Sequence, residues 1–221
     1  MKVLVVSVHP DDEALGCGGT LLKHKANSDE LVWLIITNAK VEYGYPEHWV
    51  NIRAQEVKKV TEAFGFSNVY NLDLKPTGLN SETQPQLIGL ISDVFNKVEP
   101  EVIYLINRSD AHSDHRYAFD ACFACTKAFR YPYIKTVLMY ECLSETEFAS
   151  QLSDNFIPNY FVDISPYLDS KLDIMKIYES EIKPHPFPRS VDNITALATY
   201  RGATINVKYA EAFQLVKHMD K

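Results

Sequence analysis

The chain has 221 residues, of which 46% are hydrophobic, 23% charged and 12% aromatic. That length favours one α/β domain, and this aromatic content excludes disorder as a description of the whole chain. A formal net charge of -7 argues against a nucleic-acid-binding protein, which carries a basic face. No apolar run approaches the roughly 18 to 20 residues of a membrane span. Val3 to Val8 is too short for a signal-peptide core, so a cytoplasmic protein is expected.

Lys2 to Val8 is β-branched and apolar on both faces, the pattern of a buried strand. Glu13 to Lys25 predicts a helix, Leu31 to Thr37 a strand, and Trp49 to Phe64 an amphipathic helix stopped by Gly65. Val69 to Leu72 is a short strand, Pro85 to Val98 a helix, Val102 to Ile106 a buried strand, Arg116 to Phe129 a helix and Thr136 to Tyr140 a strand. Tyr160 to Ile164 is strand-like, and Pro166 to Tyr178 is helical after a Ser165 cap. The alternation predicts an α/β fold over residues 1–221: a Rossmann-like, mostly parallel sheet with helices on both faces and its site at the C-terminal ends of the strands. Three irregular segments stand out, Ala39 to His48, Leu74 to Thr83 and the Pro-rich Lys183 to Ser190. Cys17, Cys122, Cys125 and Cys142 are expected as free thiols. The Cys122/Cys125 pair lies mid-helix, where it packs a core more readily than it binds metal.

Two clusters carry chemistry. His9-Pro10-Asp11-Asp12-Glu13 directly follows the first strand, and His112-Ser113-Asp114-His115 follows the strand at Val102 to Ile106 through a short loop. Helix capping accounts for one or two of the acids. It does not account for His9, nor for two His/Asp clusters on one sheet edge. His9 and Asp12, three apart across a tight turn, can face one point as imidazole and carboxylate donors suited to zinc, leaving Asp11 beside the metal but free of it. Three protein ligands with an open fourth position mark a catalytic zinc site.

At these residues the chain resembles the PIG-L/LmbE-type zinc-dependent N-acetylsugar deacetylases, whose motifs are Pro-Asp-Asp after a histidine and His-x-Asp-His. Gly16-Cys17-Gly18-Gly19-Thr20, Arg53, Arg201-Gly202 and Ala210-Glu211-Ala212-Phe213 are similar to the family too. Ser113 departs from it, since many members have proline there. The resemblance implies His9, Asp12 and His115 as zinc ligands and Asp11 as general base. It implies His112, oriented by Asp114, as the group that stabilises the oxyanion or donates a proton, and Arg53 as the residue holding the sugar. Iron or another divalent ion suits the same donors. Arg189, at the end of the Pro-rich loop, and Arg201 are further candidates for gripping substrate. Tyr43, Tyr45 and Trp49 suit either a sugar ring or an interface.

The leading function is therefore hydrolysis of an N-acetyl group from a GlcNAc-type sugar or conjugate. The expected partner is a small N-acetylated sugar molecule; neither nucleic acid nor a membrane span is expected, and family members often form homo-oligomers. The alternative within the same superfamily is a metal-dependent hydratase of an unsaturated carboxylic acid. A nucleotide-binding module is disfavoured: Gly16-x-Gly18-Gly19 lies inside a helix, lacks the G-x-G-x-x-G spacing, and follows acids that repel phosphate. A non-catalytic zinc protein would leave Asp11 and His112 without a task.

Overall fold

In the computed structural model, which describes residues 1–149 and 155–220, the elements run β1 (Lys2–Ser7), α1 (Asp12–Ala26), β2 (Glu30–Thr37), α2 (Glu47–Phe64), β3 (Asn68–Leu74), α3 (Gln84–Val98), β4 (Val102–Ile106), α4 (Ser113–Ala124), β5 (Thr136–Tyr140), β6 (Tyr160–Asp163), α5 (Leu168–Met175), α6 (Val191–Thr204) and β7 (Ala210–His218). Among the described residues, the seven strands form one sheet in the order β3-β2-β1-β4-β5-β7-β6. The first five are parallel, and β7 runs antiparallel to both β5 and β6. Val3, Val5, Leu4 and Val6 of β1 are all fully buried although they point alternately to the two faces. That is what a central parallel strand requires. Helices α2 and α5 pack against α1, and α3 packs against α4, two layers that right-handed crossovers would place on opposite faces of the sheet.

The chain winds outward from β1 through β2 to β3, then crosses back to β4 on the other side of β1. The β1/β4 boundary is thus the topological switch point, where an open parallel sheet leaves a crevice beyond its C-terminal strand ends. Both His/Asp clusters sit there, one after β1 and one after β4.

Helix α1 breaks at Cys17 (φ -141°, ψ 20°). Its second half is capped from far along the chain. The Glu211 carboxylate of β7 accepts from the Gly19 and Thr20 amides at 2.9 and 2.7 Å, and it pairs with the buried Lys171 ammonium at 2.6 Å. Lys171 also donates to the Leu15 carbonyl. Glycine is required beside the break because the sheet comes so close: a Cβ on Gly16 would lie 2.0 Å from the Tyr140 ring, and one on Gly19 2.7 Å from Ile164.

Several sequence expectations are corrected. Helix α4 starts at Ser113 and ends at Ala124, not Phe129, because Cys125 and Thr126 turn back onto the Cys122 and Phe123 carbonyls. Helix α5 is shorter than Pro166 to Tyr178, and Ser165 does not cap it. Instead the Ser165 amide and hydroxyl both bond Asp163 at the end of β6. Helix α6 and strand β7 lie outside the sequence expectations altogether. Cys122 and Cys125 do pack the core.

Replacing Glu211 by alanine would leave the Lys171 charge buried without its partner and two helix amides uncapped. Glu211→Ala is expected to cost about 3–5 kcal/mol, read as a lowered midpoint in urea unfolding followed by circular dichroism.

Candidate active site

The turn after β1 is built by two carboxylates. Asp12 Oδ2 accepts from the Val8 and His9 amides, each at 2.9 Å. Between them, Asp11 adopts φ 140°, a conformation that costs a non-glycine residue about 1–3 kcal/mol. Glu13 holds it there: Oε2 accepts from the Asp11 amide (3.2 Å) and the Ser7 hydroxyl (3.0 Å), and Oε1 accepts from the Tyr178 hydroxyl (2.7 Å). Ser7 Oγ in turn accepts from the Trp33 indole. Burial lifts the Glu13 carboxyl to about 7 despite these donors. Burial also raises Asp11, with Asp12 adding to the effect and Arg189 opposing it.

Two histidines present partnerless nitrogens to the space above this turn. The Thr37 hydroxyl donates to the Val8 carbonyl, so it accepts from His9 Nδ1–H at 2.9 Å. That leaves His9 Nε2 unprotonated, buried and without a hydrogen-bond partner. His115 Nδ1 donates to Asp110 Oδ2 at 2.8 Å, and its buried Nε2 also lacks a hydrogen-bond partner, lying 3.6 Å from Asp12 Oδ2. Asp110 is itself fixed, accepting at Oδ1 from Asn107 and Thr146. Burial lowers His9 to about 3, keeping it neutral. For His115 burial acts the same way, but Asp12 and Asp110 outweigh it and raise the ring to about 9, so without an ion its Nε2 carries a proton that a bound cation would displace. Burial likewise acts to raise Asp12, yet His115, His9 and the two amides hold it below its ordinary value.

Two imidazole nitrogens with no protein partner beside a carboxylate oxygen are a donor set for a divalent cation. A second grouping overlaps it: His9, His112 and Asp114 each offer a ligand atom within 4.8 Å of the others. The Asp114 carboxylate, however, is already occupied. It accepts from the Thr77 amide at 2.6 Å and the Leu79 amide at 3.1 Å, just as Asp12 Oδ2 accepts from two amides; what distinguishes the first set is that both of its histidines bury a partnerless Nε2.

His112 packs edge-on against His9 at 4.7 Å between ring centroids. Its Nδ1 accepts from the Asp114 backbone amide (3.1 Å), which puts the proton of the neutral ring on Nε2. The expectation that the Asp114 side chain orients His112 is therefore corrected. The backbone amide orients the ring, while the carboxylate ties down the loop at Thr77 to Leu79. Glu145 adds a further hold by accepting from the His112 amide at 3.0 Å.

His9, Asp11, Asp12, His112, His115, Arg53 and Arg189 line one cavity of about 300 Å³. Arg189 donates to Asp11 Oδ2 at 2.9 Å and pairs with Glu181 at 3.1 Å, and its Nε is buried without a partner. Both terminal nitrogens of Arg53 are committed: it donates to the Pro10 carbonyl and the Ser180 hydroxyl and pairs with Glu181 and Glu56. It holds the turn and the far wall rather than offering a free grip on sugar. Arg201 is not in the cavity. It forms a two-pronged pair with Glu141 at 2.8 and 2.6 Å and lines a separate cleft with Leu197 and Glu147, which corrects its assignment to substrate.

Sequence reasoning missed Thr37, Asp110, Glu145 and Glu181. The first two carried a signal: Thr37 ends the strand beside β1, and Asp110 is an acid in the loop that leads to His115.

Known proteins bear on this geometry. A family model described as PIG-L, GlcNAc-PI de-N-acetylase, matches residues 4–126. A diacetylchitobiose deacetylase of Thermococcus kodakarensis is 26% identical over 228 residues, covering 97% of this chain and 83% of that protein. A Bacillus anthracis protein named as a probable N-acetyl-alpha-D-glucosaminyl L-malate deacetylase 2 is 22% identical over 187 residues, covering 81% of this chain and 80% of its own. Among solved structures, the conserved protein TT1542 from Thermus thermophilus superposes with a TM-score of 0.79 at 25% identity, over 99% of this chain and 96% of that one. The family match covers more than half of the chain and takes in both His/Asp clusters, and the chain belongs to the PIG-L, or GlcNAc-PI de-N-acetylase, family.

Proposed function

We propose that this enzyme is a metal-dependent deacetylase that hydrolyses the acetamide of a GlcNAc-type sugar or sugar conjugate. The observation that carries the metal is the pair of buried, partnerless Nε2 atoms of His9 and His115 beside Asp12. These three residues would hold the ion, and the all-N/O donor set suits zinc. A divalent cation bound there supplies Lewis acidity, lowering the pKa of a water and polarising an acyl oxygen.

The remaining work falls to the chain. Asp11 lines the cavity and is left out of the donor set, whereas Glu13, also outside the set, lies beneath the turn. It takes the proton of the attacking water. Arg189 holds the receiving carboxylate in place at 2.9 Å. Across the cavity, the His112 Nε2–H points its donor where negative charge develops on the acyl oxygen. Asp114 serves indirectly, through its amide on His112 and its carboxylate on the loop. The partnerless Arg189 Nε offers a donor to a substrate oxygen. The leaving amine receives its proton from Asp11 or His112.

The hydratase alternative is the weaker reading, because the curated relatives that span four-fifths or more of this chain are named as deacetylases. No helix among the described residues is long and apolar enough to cross a membrane, and the substrate we propose is a small acetylated sugar rather than a nucleic acid.

Asp11→Asn is expected to keep its metal while losing about 10²- to 10⁴-fold in turnover, measured as acetate released from N-acetylglucosamine conjugates alongside metal content by mass spectrometry. Asp110→Asn removes the charge behind the His115 ring and leaves one acceptor oxygen for His115, Asn107 and Thr146 together. It is expected to weaken metal affinity about 10- to 100-fold in competition with a chromogenic chelator, and His115→Ala to abolish high-affinity binding. Full metal retention in His115→Ala would remove the ligand assignment.

A further inference from the structure

The outer part of the cavity carries features that hydrolysis of the acetamide does not use. Tyr45 and Trp49 line it. Their rings stack with centroids 6.1 Å apart and 26° between planes. The Arg53 guanidinium lies 5.1 Å from the Trp49 centroid and 5.5 Å from that of Tyr178. Tyr178 is the buried ring whose hydroxyl holds Glu13. A ladder of ring, ring, cation and ring therefore runs from beneath the catalytic turn outward to Tyr45, where it ends.

The segment that carries Tyr45 is pinned. The Tyr43 hydroxyl donates to the Asp73 carbonyl (2.9 Å), Asn38 donates to the Asp73 carboxylate (3.0 Å), and Lys40 pairs with the same carboxylate at 3.1 Å. The Tyr45 and Gly44 amides turn back onto Lys40 and Val41. A stacking surface fixed in advance loses little entropy when a ligand lands on it.

Charge narrows what can land there. Arg53 and Arg189 are the only lysine or arginine side chains that line the cavity among the described residues, and both are neutralised, Arg53 by Glu181 and Glu56 and Arg189 by Asp11 and Glu181. Glu145 adds a further acid to the lining. An anionic substituent in the outer part of the cavity would meet no uncommitted basic side chain and several carboxylates.

We propose that this outer region is a subsite for an uncharged ring with an apolar face, attached to the acetylated sugar, with Tyr45 as its stacking platform. The inference rests on the deacetylase reading for the identity of the sugar, and it selects conjugates that carry a neutral sugar or aryl substituent over those that carry an acid. Aromatic side chains recognise both kinds of ring through their faces.

The test is a binding titration that does not depend on turnover. The protein has two tryptophans; Trp33 is sealed in the core while Trp49 lines the cavity, so ligand-induced change in tryptophan fluorescence reports on this wall. Four probes would be mixed with the metal-loaded full chain by stopped flow, and the fluorescence change read before acetate is released: N-acetylglucosamine, N,N'-diacetylchitobiose, benzyl N-acetylglucosaminide and N-acetylglucosamine 1-phosphate. The expected result is that the disaccharide or the benzyl glycoside binds about tenfold more tightly than the monosaccharide, and that the phosphate binds no more tightly than the monosaccharide. Which of the two neutral rings gains more identifies its source. Tyr45→Ala should bring the ratio of second-ring to monosaccharide affinity close to one, and Tyr45→Phe should restore it. A second-ring gain that survives Tyr45→Ala, tightest binding of the phosphate, or no gain from any second ring would each overturn the subsite. The expected binding pattern without acetate release from any probe would instead count against the hydrolytic reading and leave the subsite standing.

Discussion

Everything at the site hangs from one buried carboxylate. Glu13 sits below the turn that follows β1 and accepts three hydrogen bonds, from the Asp11 amide, the Ser7 hydroxyl and the Tyr178 hydroxyl. It is fully buried, so these partners offset a desolvation penalty of several kcal/mol. In return the bond to the Asp11 amide fixes a backbone conformation that an aspartate does not choose for itself. With that residue inverted, Asp12 folds back onto the Val8 and His9 amides and its carboxylate lies beside His115, while Asp11 is left over and faces Arg189. One strained residue thus separates two adjacent aspartates into a ligand candidate and a base candidate.

The same logic of fixed partners runs through the second cluster. Each histidine has one ring nitrogen committed to the protein, His9 to Thr37, His115 to Asp110 and His112 to a backbone amide. Those commitments set which nitrogen is free. They place two partnerless Nε2 atoms, of which that of His115 must give up its proton to bind a cation, and one N–H donor around a common space, where a cation and a developing negative charge need opposite things. The hydroxyl, carboxylate and amide behind the rings are as much a part of the arrangement as the rings, because without them the imidazoles would choose their tautomers according to solvent.

Much of this was legible in the sequence because it lies in local patterns. Strands β1, β2, β4 and β5 are continuous apolar runs, and the two His/Asp clusters follow the strands that flank the switch point. What was not legible depends on contacts across long sequence separations. Helix α6 is built largely from small and polar residues such as Ala196, Ala198 and Thr199, and strand β7 hides its pattern behind Glu211, which is buried only because it caps α1 and pairs with Lys171. The role of Asp114 was misread for the same reason. Its neighbour in sequence is His112, but its carboxylate is claimed by amides at Thr77 and Leu79 in the loop beyond β3. The arginines divide likewise: Arg189 keeps a buried, partnerless donor in the cavity, whereas Arg201 is drawn off by Glu141, a partner that no spacing rule suggests.

The central claim is that His9, Asp12 and His115 gather on one ion through nitrogen and oxygen alone. X-ray absorption at the zinc edge of the metal-loaded protein tests it most directly, because a thiol stands close by: Cys142 Sγ lies 3.5 Å from Asp12 Oδ1. The expected spectrum has a first shell of nitrogen and oxygen near about 2.0–2.1 Å with the outer-shell scattering of two imidazoles. A sulfur shell near about 2.3 Å, or the signature of a single imidazole, would contradict the account.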